Sequence, residues 1–225
     1  MKRMISIAIL VAGVASLRAA TVTGKVVDER KRPLPGATVW VQIRPDTKSH
    51  PKPFSVSSRS GRDGAFSMAG VPAGQFIACV QYPDSPYVDG CAWDVPRTFA
   101  LTDNGALDLG ALELREGHEF RVRIDDPRGE LDQIRKAGTK PDLRIGLWTA
   151  AGFFYPLPLK REQPNSREYT AVVPYDVPFR LTAQTEKVQL AGERGKPVDG
   201  QKAFTVKRGN EPPVFHLEIT GIAQR

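Results

Sequence analysis

The sequence is poor in cysteine, histidine and long apolar runs. Its 225 residues include two cysteines and three histidines. Two cysteines exclude a miniprotein built on several disulfide bonds, and three histidines leave little room for a metal centre with several histidine ligands. With 40% hydrophobic residues, the chain is too apolar for a disordered protein. The composition predicts a folded, loop-rich protein of one or two domains.

A secretory signal peptide is predicted at residues 1–20. The basic segment 1–3 is followed by the apolar residues 5–15 and by small residues at Ala19 and Ala20. This apolar run of about 11 residues is too short to span a bilayer, for which roughly 20 are needed. We expect cleavage after Ala19 or Ala20 and a mature protein without a membrane span. It would be secreted, periplasmic or located at the cell surface of a bacterium.

The net charge gives little support for a nucleic-acid partner. Residues 1–20 contain three basic residues and no acidic one, so the mature chain keeps 29 basic against 25 acidic residues. Its net charge thereby falls from +7 to +4. This surplus is small for a nucleic-acid-binding protein, and export argues against that role as well.

We expect the mature protein to be a monomer.

Cys79 and Cys91 lie 12 positions apart, on either side of a loop rich in Pro, Asp and Gly. In an exported protein they are expected to form a disulfide bond. A reactive or metal-binding thiol pair is the alternative, although neither a C-x-x-C spacing nor a nearby histidine accompanies them.

Apolar and polar residues alternate over short segments bounded by Gly, Pro, Asp and Asn, which is the pattern of half-buried β-strands. These segments are 22–27, 37–43, 76–82, 107–114, 120–124, 143–149, 169–173, 179–183, 204–207 and 214–219. The candidate helix at residues 130–137 is interpreted as a helical turn within a loop. The sequence therefore predicts an all-β fold with little helix, arranged as two tandem transthyretin-like or immunoglobulin-like β-sandwiches.

A faint internal repeat places a boundary between two domains. The pattern Phe-x4-Val-Pro-x3-Phe at residues 66–76 reappears as Tyr-x3-Val-Pro-x4-Phe at residues 169–179. Valine-proline turns are common between strands, so a chance match is the alternative. The repeat predicts a sandwich at residues 21–115 and a second one, a divergent copy, at residues 116–225.

The first half also contains a distributed set of motif residues. In chain order they are Gly24, Val26 and Asp28; residues 33–37 (PLPGA) and Val39; Asp63, Gly64 and Phe66; and Pro72, Gly74 and Phe76. This set resembles the carboxypeptidase regulatory-like domain over residues 21–115, and the resemblance implies a transthyretin-like, non-catalytic sandwich. Residues 44–54 and the loop between the cysteines depart from the family pattern and are expected to decorate the surface.

The sequence lacks the motifs H-E-x-x-H, G-x-S-x-G and C-x-x-C and a Gly-rich phosphate loop. The histidines His50, His118 and His216 are interpreted as loop or strand residues, because none has a nucleophile in its local motif. We expect neither an enzyme nor a cofactor or metal site. A small hydrolase with a site assembled from distant residues is the alternative.

Four acidic residues cluster in one turn: Asp125, Asp126, Glu130 and Asp132. Carboxylates in such a cluster could hold a calcium ion. Three arginines are interleaved with them: Arg123, Arg128 and Arg135. We interpret the segment as a solvated charged turn in which the guanidinium groups neutralise the acids.

Phe153, Phe154 and Tyr155 form a consecutive aromatic run that follows Trp148. Successive residues of a strand point to opposite faces, so at least one aromatic residue of the run is expected to be exposed. These four residues are the candidate contacts for a ligand or partner, with a stacked sugar ring as one option. Packing between the two sandwiches, together with Trp93, explains them equally well.

Related sandwich domains form an internal Lys–Asn isopeptide bond, and Lys25 on the first strand is the obvious candidate amine here. No acidic catalyst stands at a readable spacing, so we do not expect this bond.

The sequence as a whole favours a secreted, non-catalytic binding or structural module of the bacterial cell envelope or exterior, with an unidentified protein or glycan as its partner. A carbohydrate-binding protein and the small hydrolase are the alternatives.

Overall fold

The computed structural model describes residues 20–43, 54–94, 97–102, 105–139, 143–192, 195, 202–209, 211 and 214–223. The expected signal peptide, except for Ala20, lies outside the described residues, as does His50. In the first half the elements are β1 (Ala20–Asp28), β2 (Thr38–Ile43), β3 (Phe54–Arg59), β4 (Ala65–Val71), β5 (Gly74–Gln81), α1 (Gly90–Trp93), β6 (Arg97–Leu101) and β7 (Ala106–Leu114).

The strands of the first half form two sheets, with the strand orders β4-β1-β7 and β3-β2-β5-β6. Alternate residues such as Val22, Val39 and Phe76 are buried in one hydrophobic cluster. β1 pairs in parallel with β7, whereas the other neighbouring strands in these sheets are antiparallel. Because β1 and β7 are parallel, the chain enters this half at one end and leaves it at the other.

Close contacts require glycine at two of the motif positions. Phe66 in β4 lies over Gly24 in β1, where a Cβ atom would be 2.7 Å from the Phe66 Cζ atom. Gly64 has a φ of +75°, and a Cβ atom there would be 2.5 Å from the carbonyl oxygen of Val26. The Val26 N–H donates to the Gly64 carbonyl, and the Leu34 N–H donates to the Val26 carbonyl. The motif residues therefore pack against one another.

Asp28 ends β1 and organises the following turn. Its carboxylate is 1% exposed and accepts hydrogen bonds from the backbone N–H groups of Arg30 (2.9 Å) and Arg32 (2.8 Å). Arg32 Nε donates a third at 2.6 Å. Burial would raise the pKa of Asp28, but these hydrogen bonds outweigh it and hold the pKa below its usual value.

In the second half the elements are β8 (Gly117–Asp125), α2 (Glu130–Lys136), β9 (Arg144–Trp148), β10 (Phe154–Pro156), β11 (Leu159–Gln163), β12 (Ser166–Pro174), β13 (Phe179–Gln184), β14 (Val188–Ala191), β15 (Ala203–Phe204) and β16 (Val214–Ile222). The sheet orders are β10-β9-β13-β15 and β11-β12-β8-β16-β14. Phe120, Leu147 and Phe179 are buried in a second hydrophobic cluster. β8 pairs in parallel with β16.

The two halves share one strand order. The first strand of each half, β1 or β8, lies between an antiparallel neighbour, β4 or β12, and a parallel neighbour, β7 or β16. In the opposing sheets, β2 lies between β3 and β5 as β9 lies between β10 and β13. β11 and β14 extend the second half at both edges of its larger sheet. We propose that residues 21–115 and 116–225 are two domains and that the second is a divergent repeat of the first.

The fold is all-β and of the sandwich type, as the sequence predicts. Segment 204–207 is only partly a strand, since β15 ends at Phe204 and Val206 forms an isolated bridge with Tyr175. Residues 130–137 contain a seven-residue α-helix, α2, in place of the single turn expected, because Leu131 and Ile134 are buried in the second cluster. Among the described residues, no helix has the length and apolarity needed to cross a bilayer.

Candidate binding face

The candidate aromatic residues lie on the hairpin formed by β9 and β10. Trp148 ends β9 and pairs with Phe154, which begins β10. In the turn between them, the Thr149 N–H donates to the Phe153 carbonyl at 2.9 Å, and the Phe153 N–H donates to Thr149 Oγ1 at 3.2 Å. Gly152 supplies the φ of +81° that closes the turn.

The hairpin separates the four candidate residues between two faces. Phe153, in the turn, is 49% exposed. Phe154, which is 36% exposed, and the half-buried Trp148 lie on the outward side. The rings of Trp148 and Phe154 are 5.5 Å apart at an angle of 58°. Tyr155 points to the opposite side, where its ring lies 6.3 Å from that of Trp93. Tyr155 therefore packs against the core and does not join the exposed residues.

The exposed ring of Phe154 rests on a glycine. A Cβ atom at Gly146 in β9 would be 2.2 Å from Phe154 Cζ and 2.3 Å from Cε2. The ring thus occupies space that only a residue without a side chain leaves open. A ring supported in this way is pre-organised for stacking, because it has little side-chain freedom left to lose on binding.

The outward side also carries two arginines. The register pairs Trp148 with Arg180 in β13, and Arg144 in β9 with Gln184. Both arginines are exposed. The described strands β9, β10, β13 and β15 contain no Asp or Glu. We use the name aromatic face for Arg144, Gly146, Trp148, Phe154 and Arg180.

The helix α1 carries Trp93 from the first half into the core of the second. Trp93 is 7% exposed, and its ring lies 5.8 Å from that of Phe179. Val88, which is 1% exposed, belongs to the same hydrophobic cluster. Packing between the two sandwiches, which the sequence left as an alternative, therefore accounts for Trp93 and Tyr155.

The disulfide bond expected between Cys79 and Cys91 is confirmed and fastens α1 to β5. Asp89 precedes α1, and its carboxylate accepts hydrogen bonds from the Cys91 N–H and from Gln81 Nε2, both at 2.9 Å. The expectation that the loop between the cysteines decorates the surface is wrong at Val88, because this loop turns inward to reach the second core.

Charge is disfavoured at this junction. Burial raises the pKa of the Asp89 carboxyl, although the hydrogen bonds from Gln81 and Cys91 act in the opposite direction. Burial also raises the pKa of Tyr155 to about 12, and the negative charge of Asp89 adds to this effect. Burial therefore makes ionisation of both groups less favourable than it is in water.

A charged crevice lies beside the junction. Arg208 from the second half is 4.7 Å from the ring of Tyr175 and 3.7 Å from Glu29 Oε1 of the first half. The crevice has a volume of about 130 Å³. Small-molecule sites usually measure about 300–1,000 Å³. We therefore interpret these residues as contacts that join the halves.

The acidic turn contains two buried carboxyl groups, those of Asp126 and Glu130. Asp126 is 0% exposed and accepts hydrogen bonds from the N–H groups of Glu130 (2.8 Å) and Leu131 (3.0 Å) at the start of α2. Glu130 is 8% exposed. The interpretation as a solvated turn is wrong for Asp126 and Glu130, because the first N–H groups of a helix need acceptors and Asp126 supplies them from within the fold.

Arg167 in β12 completes this network, and no motif in the sequence indicates this role. Its side chain is 5% exposed and lies 2.8 Å from Glu162, 3.6 Å from Asp132 and 3.9 Å from Asp126. Arg135 also donates to Glu162, at 2.5 Å, and this hydrogen bond lowers the pKa of Glu162. No group of three or more metal-ligating side chains occurs in the part of the chain that the structure describes.

The two described histidines contact an aromatic ring and a carboxylate. His118 stacks on Tyr175 with the rings 5.8 Å apart, and His216 Nδ1 is 3.8 Å from Asp125 Oδ2. Asp125 is paired with Ser166 on its other side. The order β12-β8-β16 thus puts the aspartate between the serine and the histidine, whose strands are about 10 Å apart. A catalytic triad needs the histidine in the middle.

Lys25 is exposed on β1, opposite Ala65 of β4 and Ala111 of β7. Its amine therefore belongs to the surface of the sheet and not to the hydrophobic core.

No protein-family model matches the chain, and no curated protein matches it. Three solved structures give a weak likeness. The TIE protein of Bacillus anthracis has a TM-score of 0.35 and 13% identity over 90% of this chain, which spans only 34% of that protein. A streptococcal ancillary pilin has a TM-score of 0.37 and 12% identity over 93% of this chain and 63% of the pilin. The minor pilin of Streptococcus agalactiae has a TM-score of 0.39 and 9% identity over 92% of this chain and 98% of the pilin. Because these TM-scores are below 0.5, the likeness supports no function.

Sequence reasoning missed Arg144, Gly146 and Arg180 as companions of the exposed aromatics. The sequence does indicate two of them, since Arg144, Gly146 and Trp148 occupy alternate positions of one predicted strand and must share a face. Arg180 could not be found in this way, because its position opposite Trp148 depends on the pairing of β9 with β13.

Proposed function

We propose that the mature chain is an exported, non-catalytic structural and binding module whose two sandwiches are held in one fixed relative position. The observation that carries this proposal is the burial of Trp93. This side chain is anchored in the first half by α1 and the disulfide bond, yet it is packed among residues of the second core. Burying roughly 200 Å² of tryptophan at about 25 cal/mol per Å² contributes up to about 5 kcal/mol. Movement of one sandwich against the other would expose this surface.

The connection between the halves supports the same conclusion. Only Arg115 and Glu116 separate β7 from β8. The Val88 N–H donates to the Arg115 carbonyl and the Gly117 N–H donates to the Pro86 carbonyl, each at 2.9 Å. A flexible linker has no such partners, so this connection acts as a hydrogen-bonded joint.

The experiment is equilibrium unfolding of the mature protein and of Trp93→Ala. We expect the mature protein to unfold in one cooperative transition, because the second core is incomplete without Val88 and Trp93 of the first half. Trp93→Ala should lose about 3–5 kcal/mol and separate the transition into two, since a large buried side chain is removed. Trp148→Ala is the matched control and should keep a single transition. Two independent transitions in the unmodified protein would contradict the proposal.

We also propose that the first sandwich is a carboxypeptidase regulatory-like domain and that residues 1–20 direct its export to the cell envelope or exterior. The first assignment is supported by the mutual packing of the motif residues, in particular Phe66 over Gly24 and the turn held by Asp28. These contacts give each motif position a physical reason for its residue type.

Carbohydrate binding is the second candidate function. It is favoured by one observation, the exposed ring of Phe154 that rests on Gly146 beside Trp148. Rings on an open sheet surface offer the flat apolar area on which a sugar can stack.

A further inference from the structure

The aromatic face carries exposed aromatic rings at one end of β9 and an arginine at the other. Phe154, Trp148 and Arg180 form a row across three neighbouring strands. Arg144 lies four residues before Trp148 on β9, which corresponds to about 13 Å along the strand. A ligand that contacts both ends of β9 must therefore be extended.

The charge of the four-stranded sheet has one sign. Its described strands carry Arg144 and Arg180 and no acidic residue, whereas β8 and β12 of the opposing sheet carry acids and bases together. The exposed guanidinium of Arg144 therefore favours an anionic ligand. Guanidinium groups pair with carboxylates, as with phosphates, through two parallel hydrogen bonds. A uronate carries such a carboxylate on a sugar ring, and that ring can stack on the aromatic residues beside Arg144.

We propose that the aromatic face binds an acidic polysaccharide. Its sugar rings stack on Phe154 and Trp148, and its uronate carboxylates pair with Arg144. Thr182, which pairs with Gly146, and Gln184 offer polar groups to the sugar hydroxyls between these points. This inference rests on the binding part of the proposed function and specifies its ligand.

The experiment compares polygalacturonate with its fully methyl-esterified form by titration calorimetry on the mature protein. The two polymers share a backbone and differ in carboxylate charge. We expect polygalacturonate to bind at least tenfold more tightly than the ester, with an affinity that decreases as salt rises. Phe154→Ala and Trp148→Ala should each weaken binding about tenfold, and Arg144→Gln should remove most of the difference between the two polymers.

Matched controls lie on β11, which belongs to the other sheet. Leu159→Ala removes an exposed apolar side chain, and Arg161→Gln removes an exposed guanidinium. Both variants should bind as the unmodified protein does, and thermal unfolding should show that all five variants are folded.

Three outcomes would overturn the inference. Equal binding of both polymers would assign the face to neutral glycans, and equal binding of dextran sulfate would reduce the effect to ion exchange. Failure to bind either polymer would exclude an acidic glycan. None of these results would change the number of unfolding transitions, so the fixed arrangement of the two sandwiches is tested independently.

Discussion

At the scale of single residues, the same contact, an aromatic ring over a glycine, occurs once in the core and once at the surface. In each half an aromatic ring lies over a glycine of a neighbouring strand: Phe66 over Gly24, and Phe154 over Gly146. Phe66 is 4% exposed and belongs to the first core, whereas Phe154 is 36% exposed and faces outward. Exposure therefore separates a ring that stabilises the fold from a ring that is available to a ligand.

Tyr155 should make stability depend on alkaline pH. Its folded-state pKa is raised to about 12, above the value of 10.0 for an unperturbed tyrosine. The stability it contributes is fully present below pH 10 and is lost as the pH rises toward 12. We expect this loss to reach about 2 kcal/mol, measured by urea unfolding between pH 9 and pH 12.

Tyr155→Phe supplies the comparison for this pH dependence. Phenylalanine keeps the ring beside Trp93 and has no group to ionise, so its unfolding free energy should fall less over the same range. An equal fall in both proteins would mean that Tyr155 is not the group responsible.

At the scale of elements, the sequence predicts best the strands that lie inside a sheet. Six such strands, each paired with two neighbours, bury alternate apolar residues and so produce the hydrophobic period of the sequence: β1, β2, β5, β8, β12 and β13. The strands missed include edge strands such as β3, β10 and β11. Every residue of β11 is exposed, and β10 has three residues, so neither carries a hydrophobic period.

The sequence predicts only part of the candidate site, because it shows the alternation along one strand but not the contacts between distant segments. Alternation along one strand indicates an exposed aromatic residue among Phe153–Tyr155. It does not predict the position of Trp93, because no residue near Trp93 in the sequence indicates that its side chain enters the second core. The burial of Asp126 was missed because its partners, the free N–H groups of α2, exist only once that helix forms.

The helix α1 depends on its disulfide bond. We expect replacement of Cys79 and Cys91 by serine to lower the unfolding free energy by about 3 kcal/mol, from the added freedom of the unfolded loop. Hydrogen exchange should also accelerate at residues 86–93, where the N–H groups of Val88 and Trp93 are hydrogen-bonded.

Reduction of the unmodified protein should reproduce both effects of the double serine variant. If exchange at residues 86–93 stayed slow in either case, Trp93 packing alone would hold α1 in place and the disulfide bond would be dispensable for the junction.

At the scale of the whole molecule, the two cores are unequal. The described members of the first cluster all lie between Ala20 and Leu114, whereas the second cluster includes Val88 and Trp93 of the first half. The first half is therefore complete by itself, and the second half is not.

This asymmetry predicts the behaviour of separate fragments. Residues 21–115 should fold alone with Trp93 exposed, and residues 116–225 should be destabilised by the hole that Trp93 leaves, by about 3–5 kcal/mol. Circular dichroism and thermal unfolding of the two fragments measure this difference. A fragment of residues 82–225, which restores Val88 and Trp93, should recover part of the loss. Equal stability of residues 116–225 and 82–225 would contradict the argument.

The parallel pairing of β1 with β7, and of β8 with β16, determines how the protein responds to a pull along its backbone. Tension between residues 20 and 223 would slide the two strands of each pair lengthwise past each other. The ladder of hydrogen bonds between them would then be strained all at once, and not opened one bond after another as when an antiparallel hairpin is peeled apart. Mechanical strength in extension follows from this strand order, whatever the molecule is attached to at either end.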